Sequence, residues 1–181
     1  MKYYLLLALD GSRIPDIKNY NQVINYRAFA ENKSYKMGRR TLCFVKNEAD
    51  LGDILLLPFP LFSKAMKESL DLFVWYEIMY KEIVFMERDR SKSHEYYLPF
   101  FLRISGTCTL KQRTDSFGSA LVVLSNPIPD DVPILYLDTG QDIHVLVRID
   151  LIESFLRKGL CSVRLIPVEL ATGGTIYEWE K

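Results

Sequence analysis

Two histidines are the only imidazole bases that the sequence offers for acid–base or nucleophilic chemistry. A catalytic Ser, Cys or Thr needs such a base beside it, with a third group that orients the base. His94 lies in a predicted hairpin loop and His144 opens a predicted strand, so neither has an evident companion. The sequence contains no GxSxG motif, Walker-type glycine loop or dinucleotide fingerprint. We therefore predict a protein that is not an enzyme, with no catalytic residues and no bound cofactor.

Cysteines and paired carboxylates are the remaining candidates for metal or redox chemistry. Cys43, Cys108 and Cys161 are widely spaced and form no CxxC pair, which favours neither a disulfide framework nor a zinc site. Asp130 and Asp131 are adjacent carboxylates in a proline-rich turn, where such pairs are usually solvated. We expect buried, reduced thiols and no metal site.

Composition limits the class of protein further. The 181 residues are 49% hydrophobic, which predicts a folded chain, and we treat residues 1–181 as one domain. Lys plus Arg and Asp plus Glu number 23 each, so the formal charge is zero and a broad nucleic-acid role is not expected. The short basic cluster of Lys36, Arg39 and Arg40 is interpreted as a solvated strand edge or loop. No apolar run approaches the ~20 residues of a membrane span, and we expect a cytoplasmic protein with no membrane partner.

Aromatic residues are numerous, at 11 Tyr, 10 Phe and 2 Trp. Aromatic side chains fill cores but are also enriched at protein interfaces, and we favour core packing for most of them. They cluster in two segments, one with Phe73, Trp75, Tyr76 and Tyr80 and the other with Tyr96, Tyr97, Phe100 and Phe101.

Hydrophobic periodicity predicts mainly short strands. The predicted strands are residues 3–9, 39–46, 80–89, 95–106, 119–125 and 163–170, and a further hairpin has its tip at Asp138 to Gln141. Pro99 indicates that its strand is bulged or near an edge. Residues 10–33 are typical of a loop with one short helical turn at most, and residues 69–79 fit a helix or another element equally well.

Two segments share one plan of strand followed by amphipathic helix. Ile54 to Glu68 aligns without a gap with His144 to Lys158, at an offset of 90 residues. The pattern predicts helices that start at Pro60 and Asp150, the second ending before Gly159. The predicted core-facing positions are Leu61, Phe62, Ala65 and Met66 in one helix and Leu151, Ile152, Phe155 and Leu156 in the other. We predict an α+β fold in which these two strand-helix units pack on a mixed, mostly antiparallel sheet. The repeat is either a true duplication or a coincidence.

Three segments in order carry a family resemblance: DILLLPFPLFSKAMKESL, then YYLPFFLRISG, then ILYLDTGQDIHVLVRIDLIESFLRKGLCSVRLIPVEL. This order resembles the bacterial immunity-protein family of polymorphic toxin systems that is typified by a myxobacterial sequence. The matching features are Leu56 to Leu70, Tyr96 with Tyr97, and Val145 to Pro167, within about residues 50 to 170. The GLCSV segment departs from the family pattern, and the first 50 residues have no counterpart in it.

The resemblance implies a cytoplasmic, non-catalytic antidote that binds a cognate toxin protein. It transfers no functional residues, because the matching motifs are structural. One alternative is an enzyme or small-ligand binder with a dispersed pocket, in which Cys108, His94 or His144 takes part. Another is a scaffold or oligomerisation domain, for example a homodimer.

Overall fold

Strands dominate the part of the chain that the computed structural model describes, which is residues 1–8, 25–46, 51–56, 59–74, 76, 78–111, 118–160 and 163–172. The strands there are β1 Tyr3–Ala8, β2 Arg40–Val45, β3 Ile54–Leu55, β4 Leu61–Ser63, β5 Met79–Glu87, β6 Ser93–Phe100, β7 Arg103–Lys111, β8 Ser119–Leu124, β9 Ile134–Asp138, β10 Ile143–Arg148 and β11 Val163–Thr172. The helices are α1 Tyr26–Ala30, α2 Lys64–Phe73 and α3 Ile149–Arg157. The fold is α+β, as the class prediction expects. The prediction of one mixed sheet is wrong, because the strands form a closed six-stranded barrel and a separate five-stranded sheet.

Contacts along the chain separate it into two compact units. The barrel unit consists of Met1–Leu7, Phe101–Glu153 and Arg164–Lys181, and the sheet unit consists of Ala8–Phe100 and Ser154–Val163. Each unit has its own sheet and its own buried side chains. Whether the whole chain forms one domain stays a prediction.

The barrel unit closes six strands in the order β1-β10-β9-β7-β8-β11. Its interior is filled by alternate residues of these strands, including Tyr3, Leu5, Val122, Leu135 and Leu146. Consecutive residues of β9 and β10 are buried, so both faces of these two strands are covered. Burial on both faces explains why the runs ILYL and VLV are apolar without interruption.

The hairpin of β9 and β10 has the predicted tip. Its register runs from Ile143 opposite Asp138 to Val147 opposite Ile134. The Asp138 carboxylate accepts a hydrogen bond from the backbone N–H of Gly140 at 2.9 Å, and Gly140 has a φ of 81°. Glycine adopts this left-handed backbone conformation without steric cost, so Gly140 allows the tight turn.

The sheet unit has the strand order β2-β5-β6-β4-β3. β5 and β6 form an antiparallel hairpin, and β2 pairs with β5 in parallel. One face is apolar and buried, with Cys43, Ile83, Phe85, Tyr96 and Leu98 at alternate positions. Phe85 and Tyr96 pack edge to face with ring centroids 5.4 Å apart.

The first predicted strand-helix unit differs in detail from the structure. α2 begins at Lys64 and not at Pro60, because Ser63 is extended and its hydroxyl accepts a hydrogen bond from the backbone N–H of Met66. Leu61 and Phe62 belong to β4, where they pair with Leu55 and Ile54 of β3. Strand pairing thus replaces the first turn of the predicted helix.

The second predicted unit is closer to the structure. α3 begins at Ile149, so Asp150 lies in its first turn and not at the cap. Leu151, Ile152 and Phe155 are buried as predicted, whereas Leu156 is exposed. Of the predicted core face of the first unit, Ala65 is exposed. α2 and α3 start 85 residues apart, at Lys64 and Ile149, so the repeat with an offset of 90 is not shown.

The predicted strand of residues 95–106 is two strands in two different sheets. β6 ends at Phe100 and β7 begins at Arg103. The backbone N–H of Tyr136 donates to the carbonyl of Leu102 at 2.8 Å. This hydrogen bond is part of the pairing between β7 and β9 in the barrel unit. The prediction that the strand of Pro99 is near an edge is wrong, because β6 is the third of the five strands in its sheet. Pro99 is in register with Tyr80 of β5 and lies beyond Tyr96 and Tyr97, the β6 residues that pair with β4.

The remaining elements agree with the predictions in most positions. Tyr26–Ala30 forms the one short helical turn of residues 10–33 that the structure describes, and α2 extends through Phe73 into the undecided segment. α3 ends at Arg157, two residues before Gly159, whose φ is 90°. The predicted linker at Gly173 and Gly174 lies outside the described residues.

Candidate interaction surface

The face of the second sheet that lies opposite its core presents charged and aromatic side chains. The register places Arg40 opposite Glu82 on β5, and Glu82 opposite Tyr97 on β6. The Nη2 atom of Arg40 lies 3.2 Å from Oε1 of Glu82 and 3.7 Å from Oε1 of Glu95. Leu42, two residues along β2 from Arg40, is 46% exposed. We call Arg40, Leu42, Glu82, Glu95 and Tyr97 the sheet face.

A cluster of four side chains joins the sheet face to α2. The Nζ atom of Lys67 lies 4.6 Å from the ring centroid of Tyr80 and 5.5 Å from that of Tyr97. The two rings meet edge to face, with centroids 6.2 Å apart and an interplanar angle of 84°. The hydroxyl of Tyr80 donates to Oδ1 of Asp71 at 2.7 Å, and Lys67 forms an ion pair with the same carboxylate. We call Lys67, Asp71, Tyr80 and Tyr97 the tyrosine–lysine cluster.

The sequence brings this cluster together through two periodicities. Lys67 and Asp71 are four residues apart on α2 and therefore lie on one side of the helix. Tyr80 and Glu82 are alternate residues of β5, so they point to the same face as Tyr97. Met66 and Leu70 occupy the buried side of α2, which fixes the rotation of the helix. Burial of Met66 and Leu70 therefore determines where Lys67 and Asp71 lie.

The electrostatic surroundings of Tyr97 are dominated by carboxylates. Partial burial raises the pKa of its hydroxyl above 10.0, and the charges of Glu95 and Glu82 raise that pKa further. Glu68 adds to this effect and Arg40 opposes it. The hydroxyl of Tyr97 is thus protonated at neutral pH and can donate a hydrogen bond.

This combination of groups is suited to binding another protein. Tyrosine and arginine are enriched at interface positions that contribute most to affinity, because they combine a large contact area with a polar end. An exposed Leu42 beside them adds apolar area. None of these groups is arranged as a nucleophile with a base.

The sequence predicts a hairpin loop at His94, whereas the residue lies in β6, one residue after the strand begins. Its Nε2 atom lies 3.6 Å from Oε1 of Glu87, whose side chain is 3% exposed. The hydroxyl of Ser91 donates to the other oxygen of Glu87 at 2.9 Å. Because Ser91 is bonded to the carboxylate and not to the imidazole, this trio has no activated nucleophile. It connects the two strand ends of the β5–β6 hairpin.

His144 and the cysteines do not combine into a reactive site in the described residues. Burial lowers the pKa of His144, with a smaller opposing effect from Asp142. Burial raises the pKa of Cys43 to about 11, and it also raises the pKa of Cys108. Both cysteines are therefore neutral thiols at physiological pH, which favours a packing role over a nucleophilic one. Cys161 lies outside the described residues.

Asp130 and Asp131 are exposed, as predicted for a proline-rich turn. The backbone carbonyl of Asp130 accepts a hydrogen bond from Nη1 of Arg148 at 3.0 Å. Arg148 also donates to both carboxylate oxygens of Asp150 at 2.8 Å, and this pairing lowers the pKa of Asp150. Arg148 thus fastens the turn to the start of α3. Within the described residues, no three His, Cys, Asp or Glu side chains are grouped closely enough to hold a metal ion.

The basic cluster divides as predicted between a loop and a strand end. Lys36 ends a short 3-10 turn and Arg39 precedes β2, and both are exposed. Arg40 begins β2 and belongs to the sheet face. Ion pairs of Arg40 to two carboxylates leave little positive charge there for a phosphate.

The aromatic segments separate into core and surface. Tyr96 and Phe101 are buried, in agreement with the preference for core packing. Tyr80 and Tyr97 are half-buried in the tyrosine–lysine cluster, which no local sequence pattern predicts. The available signal was the alternation of Tyr80 and Glu82 on one strand opposite a Tyr pair on the next.

No protein-family model matches the chain, and no curated protein matches it with significance. In the described part of the chain, no helix has the length and apolar character needed to cross a bilayer.

Proposed function

We propose that this protein is a non-catalytic immunity protein that binds a cognate toxin domain and neutralises it. The observation that carries the proposal is the sheet face, in which Tyr97, Arg40 and exposed Leu42 lie together without catalytic geometry. The resemblance of Leu56 to Leu70, of Tyr96 with Tyr97 and of Val145 to Pro167 to an immunity-protein family supports the same function.

Neutralisation by binding requires a preformed surface that excludes solvent from the active site of the toxin or holds the toxin in an inactive state. The tyrosine–lysine cluster is suited to this task, because hydrogen bonds and ring contacts hold its side chains before a partner arrives. Side chains that are already ordered lose less conformational entropy on binding. The antidote would act in the cytoplasm, where the neutral thiols of Cys43 and Cys108 would stay reduced.

Co-expression tests this proposal directly. The chain is produced together with the toxin domain encoded beside its own gene, and bacterial growth is compared with and without the chain. We expect growth to be rescued and the two proteins to co-purify with one-to-one stoichiometry, confirmed by calorimetry. Normal co-expression without rescue and without binding would overturn the proposal.

Self-association is the competing outcome, and light scattering after size exclusion measures it. We expect a monomer when the chain is alone and a one-to-one complex with the toxin. A stable homodimer that buries the sheet face would favour the scaffold function instead.

A further inference from the structure

The second sheet has an open edge at β2. β2 is the first strand in the order β2-β5-β6-β4-β3, so among the described strands its only neighbour is β5. The two strands pair in parallel over all six residues of β2, and the backbone N–H of Glu82 donates to the carbonyl of Arg39 at 3.0 Å. Successive residues of a strand direct their backbone groups to opposite sides. The odd-numbered residues of β2 therefore bond to β5, and the backbone groups of Leu42 and Phe44 point to the open edge.

The backbone groups at this edge have no partner in the part of the chain that the structure describes. The N–H and carbonyl groups of Leu42 and Phe44 form no hydrogen bond there. Leu42 is 46% exposed, so solvent reaches the middle of the strand. A regular row of unpaired N–H and carbonyl groups fits one kind of ligand, which is another extended chain.

The residues of β2 do not protect its edge. Proteins usually block an open edge with proline, a bulge, charged residues or a very short strand. From Thr41 to Val45, β2 contains no proline and no charged side chain, and its register with β5 has no bulge. Arg40 is charged, but it begins the strand and pairs with Glu82 of the neighbouring strand. The opposite edge of the sheet differs, because β3 is only two residues long.

We propose, on the basis of the proposed function, that the toxin binds by adding an extended strand to the edge of β2. The backbone of the added strand exchanges hydrogen bonds with Leu42 and Phe44 and lengthens the sheet by one strand. Apolar side chains at alternate positions of the added strand pack on the exposed side chain of Leu42. The added strand continues the sheet face, because Arg40 and Leu42 of β2 already belong to that face.

A strand of a different protein suits this edge better than a second copy of the chain. Antiparallel pairing of β2 with itself would bring the exposed Arg39 and Arg40 at one end of the strand toward the exposed Lys46 at the other end. Like charges on paired strands repel each other. A strand of a different protein is free of this repulsion, because its sequence is independent of that of β2.

Hydrogen exchange of the backbone amides tests the inference on the wild-type chain. NMR follows exchange in the free chain and in its complex with the toxin domain of the co-expression experiment. We expect the amides of Leu42 and Phe44 to exchange rapidly in the free chain and about 100-fold more slowly in the complex. The amides of Thr41, Cys43 and Val45 are internal controls, because their pairing with β5 protects them in both states.

Two variants test the same contact by affinity. Leu42→Pro removes the N–H at the edge and keeps the pairing with β5, since proline is tolerated on an edge strand where its nitrogen faces away from the sheet. Leu42→Ala is the matched control, because it keeps the N–H and loses only the apolar side chain. Calorimetry should show roughly 10- to 100-fold weaker toxin binding for Leu42→Pro and a smaller loss for Leu42→Ala. Urea unfolding checks that both variants are folded, and the exchange measurement requires neither.

Toxin binding without slower exchange at Leu42 and Phe44 would overturn the inference and leave the proposed function intact. Slow exchange of these amides in the dilute free chain would also overturn it, because the chain itself would then cover the edge. Protection that grows with the concentration of the free chain would assign the edge to a second copy and overturn it as well. If the toxin does not bind at all, the proposed function fails and the inference fails with it.

Discussion

Two exposed sheet surfaces of this protein have opposite chemistry. On the outer side of the barrel, Ser105, Thr107 and Thr109 are exposed on β7, and Thr107 and Thr109 lie opposite the half-buried Val123 and Leu121 of β8. We call these five residues the threonine face. It is uncharged and contains no aromatic side chain. The sheet face has two carboxylates, an arginine and a tyrosine in a comparable set of positions.

Comparing the two faces shows which of their residues strand propensity explains and which it does not. Threonine and β-branched aliphatic residues suit a pleated surface in water and need no further explanation. Tyrosine is also enriched in strands, whereas glutamate is depleted there, and the sheet face places Glu82 and Glu95 together around Arg40. The sheet face is thus the surface whose charged residues are not explained by strand propensity.

Replacement of Leu146 by alanine should produce the largest loss of stability. Leu146 is fully buried in the barrel interior, and removing its side chain loses hydrophobic burial and leaves a cavity. We expect the free energy of unfolding to fall by ~2–5 kcal/mol in urea titrations. Thr107→Ala on the threonine face is the control and should change it by less than about 0.5 kcal/mol. Similar losses in both variants would show that the outer side of the barrel is not a solvated surface.

Gly106→Ala should have the next largest effect, because this residue of β7 approaches its neighbours closely. A Cβ atom there would lie 2.8 Å from Cδ1 of Leu137 and 2.8 Å from the backbone oxygen of Val123. The backbone atom cannot move aside as a side chain can, so we expect a loss of ~1–3 kcal/mol, measured by urea unfolding.

Gly38→Ala is the matched control for Gly106. A Cβ atom at Gly38 would have the oxygen of Arg40 at 3.5 Å as its nearest contact, which is ordinary van der Waals distance. We expect this variant to be neutral or slightly stabilising. A loss as large as that of Gly106→Ala would indicate a general need for flexibility and not close packing in the barrel.

The sequence predicts the strands of this fold better than their grouping. Hydrophobic alternation locates β2, β5, β8 and the β9–β10 hairpin to within one or two residues, since each pattern records the burial of its own side chains. It does not show that Phe100 ends a strand of one sheet and Arg103 begins a strand of another. The residues that separate them, Phe101 and Leu102, are apolar like their neighbours, and strand pairing with distant segments determines the break.

The candidate surface was predictable only in its parts. The sequence places Tyr80, Tyr97 and Arg40 in local clusters, but its patterns favour the core for most aromatic residues and a solvated edge or loop for Arg40. Arg40 and the two tyrosines come together because β2 pairs with β5 in parallel and because α2 has a fixed rotation on the sheet. Both depend on contacts between residues that are distant in sequence. Lys67 gave no local signal, because a lysine on the polar side of a helix is common.

Lys67→Met should have a smaller effect on stability than the core substitutions. It removes the charge above the rings of Tyr80 and Tyr97 while it keeps an unbranched apolar side chain. We expect the free energy of unfolding to fall by ~0.5–1 kcal/mol, because the variant loses both the cation–π contacts and the ion pair with Asp71. The control is Lys64→Met on the same helix, where the lysine is exposed. Thermal unfolding of both variants measures the difference, and equal midpoints would show that neither the ring contacts nor the Asp71 ion pair of Lys67 stabilises the sheet unit.

The smallest expected effect is a pH dependence of stability that comes from His144. It compares a buried base of the barrel unit with the partly buried Tyr97 of the sheet face. Burial disfavours the charged form of each group, so the pKa of His144 is lowered below 6.5 whereas that of Tyr97 is raised. As the pH falls below 6.5, the unfolded chain binds a proton at His144 before the folded chain does. The contribution of His144 to stability is thus fully present above pH 6.5 and decreases with acidification until the folded pKa is passed. NMR titration of the imidazole and urea unfolding at several pH values measure both quantities. His144→Gln should flatten the stability profile in this range, and an unchanged profile would show that burial in the barrel unit does not hold the imidazole neutral.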